Sequence, residues 1–363
     1  KNIGDALMSL PGLAMIPRLV PGARTALVAR PAAAALVRGS PAVDAVYEAP
    51  RGAGGLGVKA TLALAREIRR GGWGTALGFD HKPRSGVLSL LSGHGRRLSS
   101  AIPGYGDPAW PWRPAGASAP EGTPEGRRGI PGGEGGALPP EQIHMAEHQA
   151  RLCAAAVGTE YREGPGRLMR PELPPPSRRA EEEAYGLASE IPGDGPLAGL
   201  CLSGRQPEKS WHLLNWKALA EGLHGSRGVG FCVTGGPEDA RAARTLVSMT
   251  GAPVCDFTGR TTLEGFRALC GMLDLFLSVD TGAAHLAALA GTPLMVVYTA
   301  SSPALWTPLG DRIRLLCYNW CLKRHGLPLE PPPGAARWEA CGVPGPREAL
   351  AAALSLLDGG RGG

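Results

Sequence analysis

Short apolar segments alternate with longer amphipathic segments along two stretches of this chain. In the first stretch, over residues 5–110, the pattern predicts strands at 26–29, 43–47 and 75–80 and a helix at 61–68. In the second, it predicts strands at 196–202, 229–233 and 254–256 and helices at 214–223, 240–249 and 262–270. Strands that alternate with helices form parallel sheets with helices on both faces. The sequence therefore predicts an α/β protein with two lobes.

Changes in composition mark the boundary between the two lobes. Half of the positions in 111–140 are Gly or Pro, which predicts a flexible insertion. A helix is expected at 140–157, and the proline-rich segment 171–177 is typical of a stiff linker. The predicted parts are a first lobe at 1–170 that includes the insertion, a second lobe at 178–345, and a terminal helix with a tail at 346–363.

The composition excludes several classes of protein. Hydrophobic residues make up 43% and charged residues 19% of the 363 residues, as in a globular chain. No apolar run approaches the roughly 18 residues that cross a membrane. Lys and Arg (38) barely exceed Asp and Glu (32) and aromatic residues are 5%, so no nucleic-acid partner is expected, whereas peripheral contact with an anionic membrane face stays open. Eight cysteines without the spacing of a disulfide framework favour a cytoplasmic location.

The segment 275–293 combines an apolar strand, a polar turn and an alanine-rich helix. Asp280 ends the strand, and Thr281 and Gly282 open the helix, whose first turn has unpaired N–H groups and the positive end of the helix dipole. Such a turn suits a phosphate group. His285 follows Thr281 by one helical turn. The alternative is that Asp280 only caps a core helix and that His285 is an interior histidine.

This strand, Asp-Thr-Gly turn and helix resemble a signature of glycosyltransferase family 9, the ADP-heptose:lipopolysaccharide heptosyltransferases. The segment from Gly4 to Pro11 resembles the family's other short signature, a Gly-Asp loop that opens the first helix. The resemblance implies a GT-B fold, in which two Rossmann-like lobes with parallel sheets face a central cleft. It also implies the inverting transfer of a heptose from a nucleotide-diphosphate sugar, expected to be ADP-heptose, to a lipopolysaccharide inner-core acceptor or a related glycolipid or saccharide. No cofactor is implied.

Asp5 is the residue that the resemblance assigns as the general base. An inverting transfer needs one carboxylate to take the proton of the acceptor hydroxyl while the nucleoside diphosphate leaves from the opposite face of the sugar. Asp5 stands in the matching Gly-Asp loop. The alternative role is to cap the first helix, and the two roles are compatible.

The loop 203–211 follows the first strand of the second lobe and resembles the family's donor loop. The resemblance implies that Ser203 and Lys209 hold the diphosphate and that Lys209 neutralises charge on the leaving group. Gly204 stands where a second hydroxyl is often found, so only its backbone N–H can serve. The alternative is that Lys209 is a solvated surface lysine.

Two further loops carry candidate residues. Glu238 follows the strand at 229–233 and matches an acid that binds the donor's ribose in the family, although Glu238 or Asp239 can equally be an acid at a helix N-terminus. Lys82 and Arg84 follow another predicted strand of the first lobe. They are candidates for acceptor binding, with a solvated basic loop as the alternative.

Two other patterns bear on cofactors and metals. Residues 52–57 spell the GxGxxG of dinucleotide-binding proteins, but no acid stands at a strand end about twenty residues later, so a flexible loop is expected. Cys317, Cys321 and Cys341 are candidate ligands of a structural metal or candidate disulfide partners. A tetrahedral zinc site would need a fourth ligand such as His325.

Two other functions stay open at this point. One is a nucleotide-sugar epimerase of the same two-lobed fold, which needs acid and base residues in addition to Asp5. The other is a non-catalytic carbohydrate-binding relative. The motifs concern the diphosphate and the ribose, so they do not identify the base, the donor sugar or the acceptor.

Overall fold

The computed structural model describes residues 3–49, 57–79, 83–99, 144–159, 161, 170–204, 206–331, 338–342 and 344–359. The chain divides into two compact units, Lys1–Pro174 and Pro175–Gly363. This division falls inside the segment 171–177, for which the sequence predicts a linker. The predicted insertion at 111–140, Lys82 and residues 52–56 of the GxGxxG segment lie outside the described residues.

The first unit consists of helices and short parallel strands. Its described helices are α1 (Ile3–Leu19), α2 (Pro31–Val37), α3 (Val58–Arg70), α4 (Pro83–Leu91) and α5 (Met145–Ala156). Its described strands are β1 (Ala26–Ala29), β2 (Ala45–Glu48), β3 (Thr75–Gly78) and β4 (Arg96–Ser99). Strand β1 pairs with β2 and β3 pairs with β4, both in parallel. A helix joins the strands of each pair, as a parallel connection requires.

The second unit is built around one parallel sheet. Its described helices are α6 (Arg178–Ser189), α7 (Leu213–Arg227), α8 (Ala240–Met249), α9 (Leu263–Met272), α10 (Gly282–Leu289), α11 (Pro303–Trp306), α12 (Asn319–Arg324) and α13 (Pro346–Asp358). Its described strands are β5 (Leu197–Cys201), β6 (Gly230–Val233), β7 (Val254–Asp256), β8 (Leu275–Val279), β9 (Leu294–Tyr298), β10 (Ile313–Tyr318) and β11 (Glu339–Cys341). The strand order is β11-β10-β9-β8-β5-β6-β7.

Continuous apolar sequence explains the central strands of this sheet. Every residue of β8 and β9 is buried, as is typical of parallel strands covered on both faces. Helices α7 and α13 cover one face, where Leu223 and Ala353 belong to the same apolar core as Leu200 of β5. The terminal helix α13 is therefore part of the core of the second unit.

The strand order places a topological switch point between β5 and β8. The chain runs from β5 through β6 to β7 in one direction, and β8 then lies on the other side of β5. The loops that follow β5 and β8 therefore diverge at the carboxyl edge of the sheet. In open α/β sheets, this is where ligands bind.

None of the helices in the described ranges is both long enough and apolar enough to span a membrane.

Candidate functional site

Two loops from neighbouring strands meet at the switch point. Lys209 ends a short 3-10 turn in the loop after β5, and Asp280 directly follows β8. The Lys209 Nζ atom donates a hydrogen bond to the Asp280 Oδ2 atom at 2.6 Å. The structure thus brings together two residues that the sequence analysis assigned to the same site from separate motifs.

Asp280 is held by a second donor. Asp280 is only 8% exposed, and its Oδ2 atom also accepts a hydrogen bond from the Ser301 hydroxyl in the loop after β9. A buried carboxylate is costly unless it is paired and hydrogen-bonded, and here both conditions are met. The Lys209 side chain keeps 24% exposure. Lys209 is therefore an oriented ammonium at the edge of the sheet, and the alternative of a freely solvated lysine is wrong.

Helix α10 begins beside this ion pair. Thr281 is its N-cap residue, but the Thr281 side chain makes no capping hydrogen bond. Its Oγ1 atom lies 3.3 Å from the Ser278 hydroxyl and 3.6 Å from the Cys201 sulfur instead. The first N–H groups of a helix have no partner within the helix and carry partial positive charge. The turn at Gly282 therefore offers donors to an anion.

Gly204 lies between the lysine and the helix start. A Cβ atom at Gly204 would come within 3.2 Å of the Lys209 Cβ atom and 3.5 Å of the Thr281 Cγ2 atom. The missing side chain leaves the backbone of the loop open to close approach. His285, in the first part of α10, is only 6% exposed, which matches the interior histidine of the alternative interpretation.

A second link joins the loops after β5 and β6. The Ser203 hydroxyl donates to the Asp239 Oδ1 atom at 2.5 Å, and the Gly236 backbone N–H donates to the Asp239 Oδ2 atom at 2.9 Å. Glu238, the predicted ribose ligand, is exposed in the same 3-10 turn. All the predicted donor residues thus lie on loops at the carboxyl edge of one sheet or on the helix that follows β8.

The structure describes only some of the predicted site residues of the first lobe. Asp5 is half-buried in the first turn of α1. Arg84 lies in α4, and its side chain is outside the described part of the structure, as is Lys82.

Neither Ser301 nor the contact of Asp239 was predicted from the sequence. The signal for Ser301 is a group of hydroxyl residues, Thr299, Ser301 and Ser302, directly after the apolar strand β9. No such signal exists for the bond between Ser203 and Asp239, because it depends on which strands become neighbours in the sheet.

The three C-terminal cysteines are not arranged as a metal site in the described part of the structure. Among the described residues, no group of three His, Cys, Asp or Glu side chains is arranged to hold a metal ion. All three cysteines are free thiols. Burial raises the pKa of Cys321 to about 11 and that of Cys317 further. The Cys321 sulfur donates a hydrogen bond to the Ser301 backbone carbonyl at 3.3 Å.

A cavity of about 250 Å³ lies at the opposite, amino-terminal edge of the same sheet. Arg227, Asp274 and Arg312 are among its lining residues. Their charges are engaged within the fold, because Arg227 pairs with Asp358 and Asp274 accepts the backbone N–H of Leu197. None of the residues predicted from the sequence lines this cavity.

The sequence profile of the family described as glycosyltransferase family 9 (heptosyltransferase) matches residues 137–326, a little over half of the chain. The chain therefore belongs to glycosyltransferase family 9, and the resemblance inferred from the short motifs is confirmed.

Individual relatives agree with this assignment. Lipopolysaccharide heptosyltransferase 3 of Escherichia coli is 31% identical over 112 residues, which cover 30% of this chain and 33% of that protein. Lipopolysaccharide core heptosyltransferase OpsX of Haemophilus influenzae is 27% identical over 105 residues, covering 29% of this chain and 30% of that protein. The matched regions span about a third of the length of these curated relatives.

Solved structures match over nearly the whole chain. A glycosyl transferase family 9 protein from Veillonella parvula has a TM-score of 0.75 at 16% identity, covering 99% of this chain and 95% of its own. The E. coli ADP-heptose lipopolysaccharide heptosyltransferase II has a TM-score of 0.71 at 18% identity, covering 99% and 97%. These likenesses confirm the predicted α/β fold class of the GT-B type.

Proposed function

We propose that this protein is an inverting glycosyltransferase that transfers a heptose from ADP-heptose to a lipopolysaccharide inner-core acceptor or a related glycolipid. The observation that carries the proposal is the Lys209–Asp280 ion pair beside the start of α10, at the switch point of the sheet. An oriented ammonium and a row of helix N–H groups are what a diphosphate requires. Membership in family 9 supports the class of reaction, and the E. coli structural neighbour is described as an ADP-heptose enzyme.

In this proposal, Lys209 and the N–H groups of the Gly282 turn bind the diphosphate. They stabilise the negative charge that builds on it while the bond to the sugar breaks. Asp280 stays paired with Lys209 and Ser301, because its own negative charge would repel the phosphates. The proposal assigns charge neutralisation to these groups of the protein and requires no cofactor.

Asp5 is proposed as the general base. The acceptor hydroxyl oxygen attacks the anomeric carbon of the heptose, the nucleoside diphosphate leaves from the opposite face, and the hydroxyl proton passes to the Asp5 carboxylate. A single displacement of this kind inverts the anomeric configuration.

We also propose that the enzyme works in the cytoplasm, with peripheral contact at the inner membrane where a lipid-anchored acceptor is available. All eight cysteines are free thiols, which fits a reducing compartment. Nucleic acid is not expected as a partner, because the charge excess is small and the chain is poor in aromatic residues.

The direct test is to incubate the protein with ADP-heptose and heptose-free lipopolysaccharide core and to analyse the products by mass spectrometry. The expected result is an acceptor heavier by one heptose, with one ADP released for each transfer. Recovery of the unmodified acceptor would overturn the proposal. In that case, a donor with an altered sugar configuration would indicate the epimerase, and binding of saccharide without turnover would indicate the non-catalytic relative.

A further inference from the structure

In the hydrogen bond between Ser203 and Asp239, the donor and the acceptor are fixed by the chemistry of the two groups. A serine hydroxyl has one proton to donate and two lone pairs that accept, whereas a carboxylate only accepts. In the structure the Ser203 proton points to the Asp239 Oδ1 atom at 2.5 Å. The phosphate oxygens of a nucleotide are also acceptors, so Ser203 has no proton left for them while this bond is made.

The loop after β6 holds the Asp239 carboxylate in place for the hydrogen bond with Ser203. Asp239 precedes α8, but its side chain makes no capping hydrogen bond to that helix. The carboxylate instead accepts the Gly236 N–H at 2.9 Å. A Cβ atom at Gly235 would lie 2.9 Å from the Asp239 Cβ atom and closer still to the carboxylate, so the carboxylate occupies the space that a side chain would fill. Asp239 thus bridges the loops after β5 and β6.

We propose that Asp239 is a positioning residue that fixes Ser203 as a hydrogen-bond acceptor, and that Ser203 therefore binds a ribose hydroxyl of the donor nucleotide instead of its diphosphate. Strand β6 is the second strand of this half of the sheet, and in sheets of this order the ribose lies near the acid that follows the second strand. The inference depends on the proposed function, since it needs a nucleotide at this edge.

The test compares two ligands by calorimetry: ADP and 2′,3′-dideoxy-ADP, which has the diphosphate but neither ribose hydroxyl. S203A should weaken ADP binding by roughly 3- to 10-fold, the effect of one hydrogen bond, and leave dideoxy-ADP binding within about twofold of wild type. S203T, which keeps a hydroxyl, should behave as wild type. S248A is the matched control, because Ser248 lies on α8 and bonds only to the carbonyl of its own helix at Thr245.

D239N tests the positioning role. The amide that replaces the carboxylate can donate to the Ser203 oxygen. This occupies one of its two lone pairs and turns the Ser203 proton toward the ligand, so that Ser203 no longer faces the ribose hydroxyl as an acceptor alone. We expect the same selective loss for ADP, with no further loss when S203A is added to D239N. If D239N does not fold, as judged by its melting temperature, the comparison of S203A with S203T still decides whether the Ser203 hydroxyl binds the ribose.

Two outcomes would overturn the inference, and they are distinguishable. Equal losses of ADP and dideoxy-ADP in S203A would show that Ser203 contacts the diphosphate or supports the loop. Failure of the wild-type protein to bind ADP at all would overturn the proposed function, and this inference with it.

Discussion

Lys209 and Asp280 form an ion pair whose two members have different exposure. The carboxylate is 8% exposed and takes two hydrogen bonds, whereas the lysine side chain is 24% exposed. A ligand approaching from solvent therefore meets the cation first. The sequence motifs predicted both residues at a phosphate site, but they did not predict the contact between the two side chains.

Removing the ammonium should affect only ligands that carry phosphate. K209A is expected to weaken ADP binding by about 1.5–3 kcal/mol, the range for a hydrogen bond to a charged group, and to leave adenosine binding unchanged. Calorimetry with both ligands measures the difference. K217A is the matched control, because Lys217 pairs with Glu221 on the surface of α7. Equal losses for ADP and adenosine would point to altered folding instead.

Asp5 should be needed for turnover and not for donor binding. D5N is expected to lower the rate of transfer by about 10²- to 10⁴-fold, as loss of a general base does. ADP affinity should not change, and folding should survive because Asn also caps helices. The control is D44N in the same unit, where the new amide can still accept the Thr25 N–H. Turnover near the wild-type rate in D5N would remove Asp5 from the mechanism.

At the level of single residues, the motifs predicted Asp280 and Lys209, because each lies in a short segment whose sequence is recognisable by itself: the turn after β8 and the loop after β5. The contact of Asp239 with Ser203 could not be predicted, because it links two loops through the pairing of β5 with β6.

The agreement between predicted and observed strands does not follow burial. Strands β1 and β7 have the predicted bounds although both are only partly buried, and the fully buried β8 covers the strand of the 275–293 segment. Strands β4, β9, β10 and β11 were not predicted, although every residue of β9 is buried. Strand β10 includes exposed Arg314, and β11 has only three residues that form a strand through pairing with β10. Short elements of this kind depend on tertiary contacts that local sequence does not encode.

The amphipathic helix α8 allows a test of which face supports the sheet. Leu246 is fully buried, whereas its neighbour Val247 is 38% exposed. L246A should lower the free energy of unfolding by about 2–5 kcal/mol, because it removes buried apolar atoms and leaves a cavity. V247A should change it by less than about 0.5 kcal/mol. Urea unfolding followed by circular dichroism measures both, and similar effects of the two changes would contradict the described packing.

At the scale of the whole molecule, the cysteines allow a test of the folded state. Burial raises the pKa of all eight thiols, and only Cys255 and Cys341 are partly exposed. Thiolates are the reactive form, so all eight should react slowly in the folded protein.

Labelling with a thiol reagent at about pH 8 should therefore modify Cys255 and Cys341 first, because reagent reaches only exposed sulfur. The protein unfolded in denaturant without reductant should show all eight thiols. Mass spectrometry of the labelled peptides identifies the sites. Fewer than eight thiols in the unfolded protein would show a disulfide and contradict the free cysteines described here.

The proposed function depends on the place where the nucleotide binds. Two candidate places lie at opposite edges of the described sheet: the loops at the switch point and the cavity of about 250 Å³ at the amino-terminal edge. Only the first has an oriented cation beside a helix start.

Hydrogen–deuterium exchange with and without ADP distinguishes the two edges most directly. If the nucleotide binds at the switch point, exchange should be slower in peptides that cover 203–211, 235–239 and 280–285 and unchanged at 271–274 and 290–293, and K209A should lose the protection. Protection confined to the amino-terminal edge, or protection at the switch point that K209A leaves intact, would contradict this assignment of the site.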